Sequence, residues 1–116
     1  MPETTLLYRP VNQKELDLIA ASNWRSFPPR LPEQPIFYPV LQEKYAVQIS
    51  RDWNVPYYGV GYVVRFAVDK VYLAQFPVQN VGAAHHDELW IPAEQLAEFN
   101  QHIAGHIEVT ATFGVK

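Results

Sequence analysis

Apolar positions recur along the chain with two periods, and the places where one gives way to the other mark its elements. Leu6, Leu7 and Tyr8 form an extended apolar run, and Pro10 predicts that strand pairing stops at Arg9 or shortly after, because proline brings no amide donor to a ladder. Leu16, Ile19, Ala20 and Asn23 then share one face at helical spacing, which predicts a short amphipathic helix over about 13–22. Asn12 is placed to cap it, with Glu15 reaching back in a capping box and Val11 stapled against Leu16.

Periodicity vanishes between Trp24 and Pro35, where four prolines deny donors to any regular ladder. The segment reads as a stiff loop packed by Trp24 and Phe27, and it is basic as well as aromatic. Ile36, Phe37 and Tyr38 predict a second short strand ended by Pro39. Leu41, Tyr45, Ile49 and Trp53 recur every four residues and predict a second helix, with its end at Asn54 and Pro56. Gly59 and Gly61 suit a strand connection; a phosphate-binding loop would need a third glycine and a following helix.

Tyr62 to Val68 is strongly strand-like, Asp69 and Lys70 suit a turn or a short helical start, and Tyr72 to Val78 is a further extended candidate. Glu88 to Ile91 predicts a strand that runs into Pro92, a good opening residue for a last helix with Leu96, Phe99, Asn100 and Ile103 on its buried side. Gly105 is placed to end that helix in the left-handed conformation, and His106 to Phe113 alternates as a closing strand. Strands and helices follow one another without a regular parallel repeat, so the fold class is α+β, with one domain over 1–116.

Composition supports a folded core. Apolar residues make up 48% of 116 and aromatics 14%, enough for one domain that hides roughly two-thirds of its extended-chain surface. The formal charge of −3 is mild, and Lys and Arg are spread without a basic run, so non-specific nucleic-acid binding has little support. The chain has no cysteine, which excludes disulfides, thiolate nucleophiles and Cys-type zinc sites. No segment has the length and apolarity of a membrane span, and the first residues do not form a signal pattern, so the expectation is a soluble cytoplasmic protein.

Candidate chemistry gathers at two places. The tetrad His85-His86-Asp87-Glu88 leads straight into Leu89-Trp90-Ile91-Pro92, and so many ionisable groups belong on an accessible rim rather than in a core. Arg9, set among Leu6, Leu7, Tyr8 and Val11, needs an anionic or hydrogen-bonding partner, either a ligand or an acidic residue at the strand end.

The residues Leu7-Tyr8-Arg9, Ile36-Phe37-Tyr38 with Tyr45-Ala46, and Glu88-Leu89-Trp90-Ile91-Pro92 together resemble the ADP-ribosyltransferase fold, and in particular a group of short bacterial proteins labelled ADP-ribosylation or crystallin-like. The resemblance covers most of the chain. It implies a split pair of small, mainly antiparallel sheets with about three flanking helices around a cleft for NAD as co-substrate. It also implies that Arg9 contacts a ribose or phosphate, that Tyr38 stacks on nicotinamide, that Tyr45 lines the cleft, and that Glu88 stabilises positive charge as nicotinamide departs. His86 and Asp87 are then the nearby choices of base for an acceptor of unknown identity. Two features depart from the family pattern: Tyr38-Pro39-Val40 stands where many members carry a hydroxyl motif, and His86 stands two residues before Glu88, where many carry Glu or Gln. A catalytically silent nucleotide- or protein-binding module is the alternative.

Other chemistries fit less well. His102 and His106 are four apart but separated by Gly105, and adjacent His85 and His86 would point opposite ways on a strand, so no metal site is expected. His102 instead suits the negative end of the last helix. Neither Ser22, Ser26 nor Ser50 sits in a glycine-flanked elbow, and Asp87 and Glu88 would face opposite directions, which disfavours a paired-carboxylate hydrolase.

Overall fold

The computed structural model describes residues 3–82 and 86–114. In chain order these form β1 (Thr4–Val11), α1 (Gln13–Ala21), β2 (Ile36–Phe37), α2 (Glu43–Ile49), a π-helical turn (Ser50–Asn54), α3 (Val55–Tyr58), β3 (Gly61–Asp69), α4 (Lys70–Leu73), β4 (Val78–Asn80), β5 (Asp87–Leu89), β6 (Ile91–Pro92), a 3-10 turn (Ala93–Gln95), α5 (Leu96–Gln101) and β7 (Ile103–Phe113). The protein is therefore α+β, with several small antiparallel sheets. β3 is the centre of the largest, flanked by β1 and β7, while β2 pairs with β6 and β4 with β5.

β1 ends at Val11, shortly after Arg9 as expected, yet Pro10 itself stays in the ladder, opposite Val63, with Val11 opposite Tyr62. The register explains this. The Tyr8 amide donates away from β3, to the Val40 carbonyl at 2.9 Å, and period-two alternation turns the nitrogen of Pro10 the same way, so the proline removes no bond from the β1–β3 ladder.

The largest buried cluster lies on one face of the main sheet. Phe27, Phe37, Phe66 and Phe99 meet there in tilted and edge-on pairs with centroids 4.7–6.2 Å apart, surrounded by Leu7, Val64, Leu89, Ile91 and Leu96. Asn100 pins the proline-rich loop to this core: its side-chain oxygen accepts from the Phe27 amide at 2.9 Å, and its nitrogen donates to the Phe27 carbonyl at 3.0 Å. On the other face a smaller cluster of Val40, Ala46 and Val63 holds α2 against the sheet.

Four local expectations need correction. The Asn12 side chain accepts from the Glu15 amide as a cap should, at 2.8 Å, but the Glu15 carboxylate turns to Arg9 instead of completing a capping box, because a guanidinium is a stronger donor than a backbone amide. The second helical segment does not end at Pro56. It widens into the π-helical turn just before it, where the Val55 amide donates to the Ser50 carbonyl, and continues to Tyr58. A proline at 56 offers no amide for an α-type bond and crowds the preceding turn, and the wider turn relieves both. The turn also swings Trp53 out to 71% exposure, off the stripe shared by Tyr45 and Ile49. A Cβ on Gly61 would lie 2.6 Å from the Ser50 carbonyl oxygen, so only glycine lets β3 begin so close to that turn.

Tyr72 and Leu73 are helical rather than extended, because the Asp69 carboxylate accepts from the Val71 and Tyr72 amides and nucleates α4. Gly105 does not end α5, which stops at Gln101. It lies inside β7 at φ +73°, where the register slips between Arg65–Glu108 and Ala67–Ala104, and serves a bulge. His102 is the residue that closes α5, and its ring stacks on Tyr72 at 3.8 Å.

Candidate functional site

One residue joins the chain's two chemically promising segments. Val40 bridges Tyr8 of β1 on one side and Glu88 of β5 on the other, both antiparallel. The bonds on either side are well formed: Val40 amide to Tyr8 carbonyl at 2.8 Å, Leu89 amide to Pro39 carbonyl at 2.9 Å and Leu41 amide to Asp87 carbonyl at 3.1 Å. Two strand spacings thus separate the backbones of Tyr8 and Glu88, roughly 10 Å. Just before Val40 the chain leaves this row, and Ile36–Phe37 pairs with β6 instead. Beside this divergence is a cavity of about 450 Å³ lined by Arg9, Pro10, Tyr38, Val40, Ile49, Glu88 and Trp90.

Arg9 and Glu88 approach that cavity from opposite faces. Leu7, Arg9 and Val11 alternate onto the buried face of β1, whereas Tyr8, Val40 and Glu88 lie in one row and share the other. The Arg9 guanidinium grips both carboxylate oxygens of Glu15, Nε to Oε2 at 2.6 Å and Nη2 to Oε1 at 3.0 Å, with side-chain exposures of only 10% and 17%. It also lies over the Phe37 ring at 4.6 Å and makes a long contact, 3.5 Å, with the Tyr38 carbonyl. The anionic partner that the sequence demanded for Arg9 is thus Glu15, which lies in the first turn of α1 rather than at a strand end.

Glu88 is held differently. It is 8% exposed, its Oε1 accepts from the Trp90 indole Nε1 at 2.7 Å, and no ion pair to it is found among the described residues. Tyr45 reaches it from α2: burial first, and then the charge and hydrogen bonding of Glu88, push the Tyr45 hydroxyl above the usual tyrosine pKa. The Tyr45 ring stacks on His86 at 4.3 Å, and His86 Nε2 lies 3.2 Å from Gln48 Oε1. These three residues line a neighbouring cavity of about 470 Å³ with Ile49 and Trp53, so Ile49 forms part of both cavities.

The structure therefore brings Arg9, Tyr38 and Glu88 to one cavity and places Tyr45 and His86 in the next, linked to it through the Tyr45–Glu88 contact. Tyr38 is 40% exposed, and its ring is available to a ligand. Asp87 points elsewhere and accepts from Asn80 at 2.9 Å. His85 lies outside the described residues. Among the described residues no group of three or more His, Cys, Asp or Glu is placed to hold a metal ion, and no helix is long and apolar enough to cross a membrane.

Sequence reasoning missed three participants. Trp90 was legible in principle, because residues two apart on an extended segment share a face with Glu88 between strands β5 and β6. Glu15 was seen as a cap and not as the partner of Arg9. Arg30, on the proline-rich loop, lies over the same Phe37 ring as Arg9, at 5.9 Å, and no periodicity announces it. No family model matches the chain, and no curated protein or solved structure matches it either.

Proposed function

We propose that the cavity between Arg9 and Glu88 binds NAD or a related ADP-ribosyl compound, and that Glu88 supports cleavage of the nicotinamide–ribose bond with transfer of ADP-ribose to an acceptor. The observation that carries this reading is the meeting of Arg9, Tyr38, Glu88 and Trp90 around one cavity of about 450 Å³, a volume within the ~300–1,000 Å³ usual for small-molecule sites. A carboxylate that is largely buried, fixed by an indole donor and not neutralised by a cation among the described residues suits a ribosyl carbon gaining positive charge. As the glycosidic bond breaks, nicotinamide leaves with the bonding electron pair, and Glu88 stabilises the sugar cation without itself moving. The acceptor then bonds to that carbon and gives up its proton, for which His86 in the adjoining cavity is the candidate base. Tyr38 and Trp90 offer ring faces to nicotinamide, and Tyr45 holds Glu88 in place.

One observation favours a second reading, a nucleotide-binding module without turnover: the Arg9 fork is already occupied by Glu15, so an anion must share it. Purified protein incubated with nicotinamide-labelled NAD separates the two. Release of nicotinamide that disappears in Glu88→Gln, which keeps the shape and removes the charge, supports the enzyme. Saturable binding without release supports the silent module, and absence of both overturns the NAD assignment.

A further inference from the structure

Arg9 has a second side. Beyond its pair with Glu15 is a separate cavity of about 260 Å³, whose lining includes Arg9, Asn12, Lys14, Glu15, Arg30 and Gln34. Three cationic side chains border it against a single carboxylate, on a chain whose formal charge is −3. That carboxylate is already committed to both arms of Arg9. Among the described residues Arg30 makes no ion pair, and its buried Nε has no hydrogen-bond partner. Arginine Nε and Nη atoms form a planar fork built for an oxyanion, and a buried member of that fork left unsatisfied is unfavourable. Two guanidinium groups also sit within cation–π reach of the same Phe37 ring, so each raises the electrostatic energy of the other. In keeping with this, burial first and the neighbouring Arg9 charge second pull the pKa of Arg30 below its ordinary value.

We infer that this cavity is an anion site that takes a diphosphate group, with Arg30 as its principal ligand and Arg9 and Lys14 in support. Charge and size choose the ligand. Three cations against one carboxylate match a multiply charged group better than a single carboxylate, and the space is below the range of drug-sized sites. The first turn of α1 opens onto the same space through Asn12 and Lys14, and its positive end adds to the field. The loop carrying Arg30 is fastened by the two Asn100 bonds to Phe27, so the cation is presented on an anchored segment. The inference shares Arg9 with the cavity described above but stands without the glycosidic chemistry proposed there.

Isothermal titration calorimetry with inorganic pyrophosphate and, separately, with ADP tests it on the full chain. Saturable binding is expected, weakened at least about tenfold in Arg30→Gln, less in Arg30→Lys, and tightened in Glu15→Gln, which removes the competing carboxylate. Equal affinity for the two probes identifies a free anion as sufficient; tighter binding of ADP identifies a nucleotide as the carrier of the group. Binding that survives in Glu88→Gln while NAD cleavage is lost separates this site from the catalytic proposal. Absence of saturable binding by either probe overturns the inference. So does undiminished binding in Arg30→Gln, with the melting temperature of each variant confirming that it is folded.

Discussion

The two walls of the cleft carry opposite charges and are built on opposite plans. Arg9 is clamped by a charged partner, both arms on Glu15 and its flat face on Phe37, so most of its binding capacity is spent within the fold. Glu88 is equally buried, but among the described residues it is held by neutral donors, the Trp90 indole and the Tyr45 phenol. The contrast teaches which group is free to respond to a ligand's charge. A carboxylate stabilised by dipoles retains a field that a developing cation can feel, whereas an arginine paired in two places mainly fixes geometry.

The largest expected effect is on the Arg9 wall. Arg9→Met leaves Glu15 mostly buried without its cation and is expected to lower stability by about 3 kcal/mol, the lower end of the range for breaking such a pair. The double variant Arg9→Met with Glu15→Leu should recover much of that loss, as read from urea denaturation. If the double variant is no better than the single one, the pair does not clamp the wall. A smaller effect is expected across the cleft. Trp90→Phe removes one donor to Glu88 while keeping an aromatic ring, and should lower stability by about 1 kcal/mol, since the residue is part-exposed. It should affect ligand handling more than folding. A loss as large as that of Arg9→Met would erase the distinction between the walls.

The smallest effect is confined to alkaline pH. Burial first, and then the hydrogen bonding and charge of Glu98, push the Tyr72 hydroxyl pKa up to about 12. Tyr45 is raised in the same direction, by burial and by Glu88. Both tyrosines keep their protons in the folded chain where the unfolded chain has lost them. Their contribution is therefore complete below the ordinary tyrosine pKa of 10.0 and declines as pH rises through the folded values, for Tyr72 about 12. Melting temperatures should fall across that window, less steeply in Tyr72→Phe and Tyr45→Phe. Near neutral pH Tyr72→Phe should change stability little, whereas Tyr45→Phe should weaken the hold on Glu88.

What could be read in advance depended on how many residues shared a pattern. β3 has five strand formers among the seven residues from Tyr62 to Val68, and α1 has an Asn12 cap with a periodic face, so both were visible. The meeting of Arg9, Tyr38 and Glu88 was expected only through the family resemblance, because the link between them is a single paired residue and leaves no period to detect. The π-helical turn was hidden for a related reason: Leu41, Tyr45, Ile49 and Trp53 match an α-helix by spacing, and only the buried contact between Ser50 and Gly61 shows where the winding changes. Arg30 was invisible as a site residue because its place depends on Asn100, 73 residues from Phe27 in sequence, anchoring the loop.

The rung at Val40 has a consequence for how this cleft tolerates change. The gap between its walls is gauged by main-chain bonds on both sides of one residue. A residue lacking an amide hydrogen there would remove the bond to the Tyr8 carbonyl and leave that wall fastened at Val40 by the single bond from the Tyr8 amide.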